Sequence, residues 1–415
     1  MTDPRWAESR APLVERLRDR IQAAGPLTFA DFMAAALYDP EEGYYVRRAD
    51  RASRSGDFLS APEQDPLFGA LLARQVADCW ERLGQPAQLH LREDGAGSGA
   101  LAQTLLEALR ATSPGAFAAV RYAAREADPQ RGTAIAARLA AAGLGATIGE
   151  ESAPLDPGLV IANELLDALP VHRLVLRDGE LLELLVDWAE DWFVERPGPL
   201  SEPRLAAQLA AEDIVLADGQ RTEVCLAALD WVARLGRDLR RGYALIVDYG
   251  HPAARRHDAA RPEGLLRTYR AHHAGDDPFQ AVGEQDLTAH VDWTAVEAAA
   301  GASGLGVAGR VPLPAFALGL DAGSLLTELG GRQEMSADRY RSARAALRDL
   351  LDPRRLGRFE VLVLARDAPL DPPLRGLGAS LPAGFGQAGG QAGAGGLGGL
   401  GGPDRAGGPP DPPQA

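Results

Sequence analysis

The sequence predicts an α/β fold: a mostly parallel sheet wound on both faces by helices, with a helical segment ahead of it. Three observations carry this. Apolar runs alternate with helically periodic segments from about residue 88 to residue 366. Several of the runs are near-continuous, as strands covered on both faces must be. The first of them, Gln88-Leu89-His90-Leu91, leads into Glu93-Asp94-Gly95-Ala96-Gly97-Ser98-Gly99, a glycine-rich turn that opens a helix.

The elements follow in chain order. Over residues 7–24, Leu13, Val14, Leu17 and Ile21 share one face of an amphipathic helix. Thr28-x-x-Asp31 is a capping-box-like start for a second helix over 31–37. Next come Tyr44-Tyr45, a loop containing Gly56-Asp57-Phe58, and a helix from about 65 to 83. Strands are expected at 88–93, 119–126, 158–164, 243–249, 306–312 and 358–366. The turn Arg177-Asp178-Gly179 marks a β-hairpin inside an insert of about 171–240, and a helical insert of about 313–355 separates the last two strands. A core of 65–367 is thus expected behind an N-terminal segment of 1–64. Residues 368–415 are rich in Gly, Pro and Ala and lack periodicity, so they are expected to form a disordered tail that cannot offset the entropy of folding.

Composition narrows the function classes. A net charge of −15 argues against nucleic acid as a partner. No apolar stretch approaches the roughly 18 residues of a membrane span. Two cysteines, Cys79 and Cys225, give no disulfide framework and point to a reducing cytoplasm. The N-terminus reads as neither a signal nor a transit peptide. All 43 basic residues are arginines, which suggests a GC-rich bacterial genome. The absence of lysine removes Schiff-base chemistry and a Walker-type phosphate loop. His272-His273, with His251 and His257 nearby, fits no zinc spacing, so no metal site is expected.

Two ligands suit the turn. The segment GAGSGA matches the dinucleotide pattern and admits a nicotinamide-dependent oxidoreductase. With Glu93 ahead of it, the same segment matches the [ED]-x-G-x-G-x-G pattern for S-adenosyl-L-methionine (SAM). Glu93 at the strand end suits a cationic ammonium and is poorly placed beside a pyrophosphate. Glu126 closes the next strand, where a carboxylate accepts ribose hydroxyls in either case. Asn163 and Glu164 then stand at the carboxyl end of the 158–164 strand, where doubly wound sheets carry their chemistry. Asp167 follows one turn later and could face the same cleft; a helix N-terminus favours acids there equally well.

Together these segments resemble the MidA-like methyltransferases, the family of the mitochondrial complex I assembly-factor protein arginine methyltransferase. The matching stretches are FMAAALYDPEEGYY (32–45), SGDFLSAPEQDPLFG (55–69), EDGAGSGAL (93–101), ANELLDALPVHR (162–173), IVDYGH (246–251), LLRTYRAH (265–272) and GEQDLTAHVDW (283–293). The resemblance implies a class I SAM-methyltransferase fold whose N-terminal segment contributes to the cleft. It implies that Gly56, Asp57, Phe58, Glu93, Gly95, Gly97, Gly99, Glu126, Asn163 and Glu164 surround the cofactor, and that the substrate is a protein arginine. Asp94 departs from the pattern, which has an apolar residue there; an extra carboxylate would repel and weaken cofactor binding.

Carboxylates are needed to hold a guanidinium, which is always protonated near neutrality. Glu164, with Asp167 or Asp57, is the expected catalytic set. Asp248-Tyr249 and His290-x-Asp292 are expected along the substrate wall, with Tyr44-Tyr45 near its entrance. The competing readings are an NAD(P)-dependent oxidoreductase and a non-catalytic SAM-binding assembly factor.

Overall fold

The computed structural model describes residues 5–47, 66–270, 273–330 and 336–381. Its centre is a six-stranded sheet in the order Gly306–Pro312, Glu360–Arg366, Gly242–Asp248, Gly158–Asn163, Leu89–Asp94, Val120–Arg125. The last four strands in that order run parallel; the 360–366 strand is antiparallel to both of its neighbours. From the 89–94 strand the chain moves first to 120–125 on one side and then to 158–163 on the other. The switch point of the sheet, where ligands bind in open α/β folds, therefore lies between 89–94 and 158–163.

The near-continuous apolar runs have a simple cause. Leu159, Ile161, Leu245, Val247, Val361 and Val363 face one layer of helices, among them Leu67–Arg82 and Ala100–Thr112. Val160, Ala162, Ala244, Ile246, Leu362 and Leu364 face the other, built from Leu226–Asp238 and Trp293–Ala302. Successive side chains point to opposite faces, and both faces are covered, so every position is apolar.

The insert is larger than one hairpin. His172–Arg177, Glu180–Ala189, Trp192–Gly198 and Arg221–Val224 form an antiparallel sheet in which 180–189 lies between 172–177 and 192–198. Helix 226–238, inside the expected insert of 171–240, packs on the central sheet as the crossover between its 158–163 and 242–248 strands. Helices Ala11–Ala24 and Phe29–Tyr38 do not cover the central sheet either. Their apolar faces pack with Val186, Trp192, Phe193 and Phe279 in a separate core. Thr28 caps the second of these helices, its hydroxyl accepting the Asp31 N–H at 3.0 Å.

One boundary is corrected. The tail expected from 368 does not begin there: the chain stays packed on the core through the 3₁₀ turn Arg375–Leu377. Leu374 is buried, and the Gly376 N–H donates to Gln75 Oε1 and the Arg375 N–H to Asp78 Oδ2, both at 2.9 Å. Arg82 donates to the carbonyls of Pro372 and Pro373. One buried leucine and a run of backbone bonds hold this segment, and neither leaves a periodic signature in sequence. Truncating the anchor, Leu374→Ala, should cost about 2–3 kcal/mol, read as a lower midpoint of urea unfolding. A disordered segment would show no change.

Candidate active site

A cleft of about 550 Å³ opens at the switch point. Its floor is the glycine-rich turn, in which Gly95 and Gly97 line the cleft while Gly99 lies off it against Ile135; their φ values of 76°, 57° and 75° fall in the left-handed region that penalises a Cβ atom. A Cβ on Gly95 would lie 3.0 Å from Leu165, so bare backbone is also what lets the two strand ends approach. The Gly97 N–H is held by the Glu126 carboxylate. Burial raises the Glu126 carboxyl above its ordinary range, while the Gly97 N–H and Arg131 oppose that shift.

Glu93 and Asp94 end the 89–94 strand and are both buried, but they face different surroundings. Glu93 Oε2 accepts the Tyr122 hydroxyl at 2.7 Å. Burial pushes its carboxyl up to about 8, with Glu126 and Asp94 adding to the rise and the Tyr122 bond opposing it. Asp94 lies between Arg92 and Trp231. Arg92 donates to it through Nε at 2.7 Å and a terminal nitrogen at 3.1 Å, and Trp231 Nε1 donates at 2.9 Å. Arg92 and Arg125 both reach on to Asp238. The repulsion expected of Asp94 is therefore met by a buried guanidinium two residues away on the same strand.

Across the switch point, Asn163 and Glu164 close the 158–163 strand. Glu164 has φ of 53°, uncommon for a residue with a Cβ, and its N–H donates to the Val247 carbonyl at 2.9 Å. Asn163 Nδ2 donates to Glu164 Oε1 at 3.2 Å. The turn that follows is fixed by Asp248, whose carboxylate accepts the N–H groups of Leu166 (2.9 Å), Asp167 (3.3 Å) and Tyr249 (2.8 Å). Asp248 is fully buried and does not line the cleft, so it builds the site and is not part of the substrate wall. Asp167 does line the cleft beside Glu164. Burial pushes its carboxyl up to about 6, against hydrogen bonds from the Tyr249 hydroxyl and the Ala168 N–H.

Tyr38, Tyr45, Tyr249, Tyr269 and Asp286 line the cleft together with Asp167. Tyr38 and Tyr45 stack with ring centroids 5.5 Å apart. Their hydroxyls donate to the Ala168 carbonyl and to Asp286 Oδ1, each at 2.8 Å. Sequence reasoning missed Tyr38, Tyr269 and Asp286; each sat inside a matching segment, with no local sign of which way its side chain points. His290 and Asp292, expected along this wall, lie behind it. The His290 ring packs edge-on against Tyr249, with burial holding its pKa well below the usual range. Asp292 caps helix 293–302 by accepting the Ala295 N–H at 3.1 Å. Gly56, Asp57 and Phe58 lie outside the described residues.

Asp94→Leu would strand the Arg92 guanidinium, which is 3% exposed, with only Asp238 as partner. A loss of about 3 kcal/mol in unfolding free energy is expected, with no gain in cofactor affinity. Urea melts and calorimetric titration with SAM check the two halves; tighter binding in a stable variant would restore the repulsion argument.

Residues 71–311 match the model of the Methyltransf_28 family, described as S-adenosyl-L-methionine-dependent methyltransferases. The protein arginine methyltransferase NDUFAF7 homolog of Drosophila melanogaster, a mitochondrial protein, is 30% identical over 68% of this chain and 69% of its own length. The human mitochondrial protein arginine methyltransferase NDUFAF7 is 26% identical over 68% and 67%. A COG1565-superfamily protein of Burkholderia thailandensis, crystallised with S-adenosyl-homocysteine, superposes with a TM-score of 0.77 at 31% identity, covering 91% of this chain and 97% of that one. The oxidoreductase reading is thereby set aside. The expected bacterial, cytoplasmic location is overturned by the curated relatives, which are mitochondrial proteins of animals. The match across the central sheet and both cleft segments leads to one conclusion: the chain belongs to this family of SAM-dependent methyltransferases, and SAM is its cofactor.

Proposed function

We propose that the acceptor is the guanidinium of an arginine side chain in a protein. The observation that carries this reading is the far wall of the cleft, where two buried carboxylates, Asp167 and Asp286, sit among Tyr38, Tyr45, Tyr249 and Tyr269. A guanidinium is a planar, always-charged cation that stacks on aromatic rings and binds carboxylates through paired N–H groups. A neutral acceptor would gain little from two buried acids. The names of the matched animal relatives support the same acceptor.

On this reading Gly95, Gly97 and Gly99 present backbone to the cofactor, Glu93 faces its ammonium, Glu126 its ribose hydroxyls, and Asn163 borders it. Gly56 and Phe58, outside the described residues, are assigned to the cofactor by the family resemblance alone. The bound cofactor supplies an electrophilic methyl group on a sulfonium. Glu164 and Asp167, or Asp57 in place of the latter, grip the guanidinium and direct one nitrogen toward the methyl carbon. The aromatic wall excludes water and fixes the plane of the acceptor. A Glu164 oxygen takes the proton that the substituted nitrogen loses.

Two outcomes test the assignment. Glu164→Gln should abolish methyl transfer from labelled SAM to host-lysate proteins while changing SAM affinity less than about tenfold, or about 1.4 kcal/mol. Full transfer in that variant, or label on a residue other than arginine, overturns the reading. The second outcome concerns pH. With its carboxyl raised from 4.5 to about 8, the cofactor-free fold retains a proton on Glu93 that the unfolded chain has lost. Stability without cofactor therefore falls as pH rises through that window. A cationic ligand needs the ionised form, so SAM affinity should climb by up to about tenfold per pH unit toward pH 8 and then level. Calorimetry across pH 6–9 reads the climb, and Glu93→Gln should remove it.

A further inference from the structure

Behind the cleft wall, three side chains from separate segments converge. Glu212 follows helix Pro203–Ala211 of the insert, His257 follows helix Ala253–Arg256, and Asp292 starts helix 293–302. His257 Nε2 lies 3.4 Å from Asp292 Oδ2 and 4.0 Å from Glu212 Oε2, and one potential ligand atom from each residue lies within 4.8 Å of the others. The Glu212 side chain is 3% exposed and the His257 side chain 1%.

Two further observations point to a ligand. By geometry neither carboxylate oxygen of Glu212 has a hydrogen-bond partner among the described residues, although both are shielded from water; the uncharged Gln208 side chain is the donor that stands beside it. A buried, unsatisfied carboxylate is costly and calls for a counter-charge. The second observation is the orientation of His257. Its Nδ1 lies 2.7 Å from the Thr222 hydroxyl, which can accept the Nδ1 proton and leave the Nε2 lone pair facing the two carboxylates. Metal-binding imidazoles are held in this manner by a second partner.

Nearby charge does not already satisfy the cluster. Arg256 is the adjacent cation, but its terminal nitrogens are committed to the His290 carbonyl and to the Glu223 carbonyl and carboxylate. Its Nε stands 3.8 Å from Asp292 and makes no hydrogen bond. One guanidinium thus faces the carboxylates of Glu212, Glu223 and Asp292. Glu223 is further satisfied by the N–H groups of Leu265 and Leu266; Glu212 has the uncharged Gln208 side chain beside it and, among the described residues, no backbone N–H.

We propose that Glu212, His257 and Asp292 bind a divalent transition-metal ion of the zinc class. One imidazole and two carboxylates suit Zn²⁺, Fe²⁺ or Mn²⁺ better than Mg²⁺ or Ca²⁺, which favour oxygen ligands alone. Ligand atoms held at about 2.0–2.2 Å from one ion lie at most about 4.4 Å apart, so small side-chain rotations close the triangle. The ion would tie the insert to the core helix 293–302 and stiffen the support of His290, which packs against Tyr249. Its role is structural, and it stands apart from methyl transfer.

Zinc itself is the probe. The full chain, stripped with EDTA and titrated with Zn²⁺ in a calorimeter, should bind one equivalent and melt several degrees higher, by linkage of binding to folding. His257→Gln should abolish that equivalent and the rise in melting temperature while SAM titration stays unchanged. Co²⁺ loaded into the stripped chain should give a visible d–d absorption that Glu212→Gln alters. A stripped wild-type chain that neither binds Zn²⁺, Mn²⁺ or Co²⁺ nor changes its melting temperature with them overturns the proposal; Glu212 is then neutralised by a proton instead.

Discussion

The cleft depends on the Asp248 carboxylate. It sits at the end of a strand covered on both faces and accepts three N–H groups, two from the turn after the neighbouring strand and one from the residue that follows it. Burial and the nearby Asp167 raise its carboxyl well above the usual range. The N–H groups of Tyr249 and Asp167 oppose that rise without cancelling it. Because the bonded turn carries Asp167, and the residue after Asp248 is Tyr249, one buried group sets the relative positions of the cleft acid and the aromatic ring bonded to it.

Around this latch the structure separates charges by assigning each its own surroundings. Glu93 and Asp94 are consecutive and both buried, yet among the described residues one has a phenol for partner and the other an arginine and an indole. Glu93 has no cation paired with it among the described residues, whereas Asp94 is already paired with Arg92 within the fold. Strand geometry makes the division possible, since neighbouring side chains leave on opposite faces.

The wall facing the glycine turn is assembled from distant pieces of chain. Tyr38 and Tyr45 come from the N-terminal segment, whose helices 11–24 and 29–38 are anchored on the inserted sheet by an aromatic core of Phe29, Phe32, Trp192, Phe193 and Phe279. Asp286 and Thr288 come from a small sheet in which Leu266–Arg270 pairs with Asp286–Ala289. The Ala289 N–H donates to the Asp167 carbonyl at 2.9 Å, fastening that sheet to the turn after Glu164. The elements that lie outside the central sheet are thus the ones that shape this wall of the cleft.

The sequence by itself determined the doubly wound sheet, the glycine turn and the carboxylates at the strand ends of the cleft, though not Asp286. Each depends on local rules: apolar runs for strands buried on both faces, φ above zero for the glycines, a polar pair where an apolar strand ends. The 158–163, 242–248 and 360–366 strands are legible for this reason, as are Glu93, Glu126, Asn163 and Glu164; the edge strand 306–312, which has no buried residue, is legible only from its place in the alternation of strands and helices. Only the tertiary structure decided that Asp94 is neutralised by Arg92 and Trp231, that Asp248 is a latch, and that His290 and Asp292 stand behind the wall. It alone also joined Tyr45 to Asp286, and Glu212 to His257 and Asp292. These are contacts between segments far apart in the chain, and their geometry is set by how helices and inserted sheets pack, a long-range property that no local pattern of residues encodes.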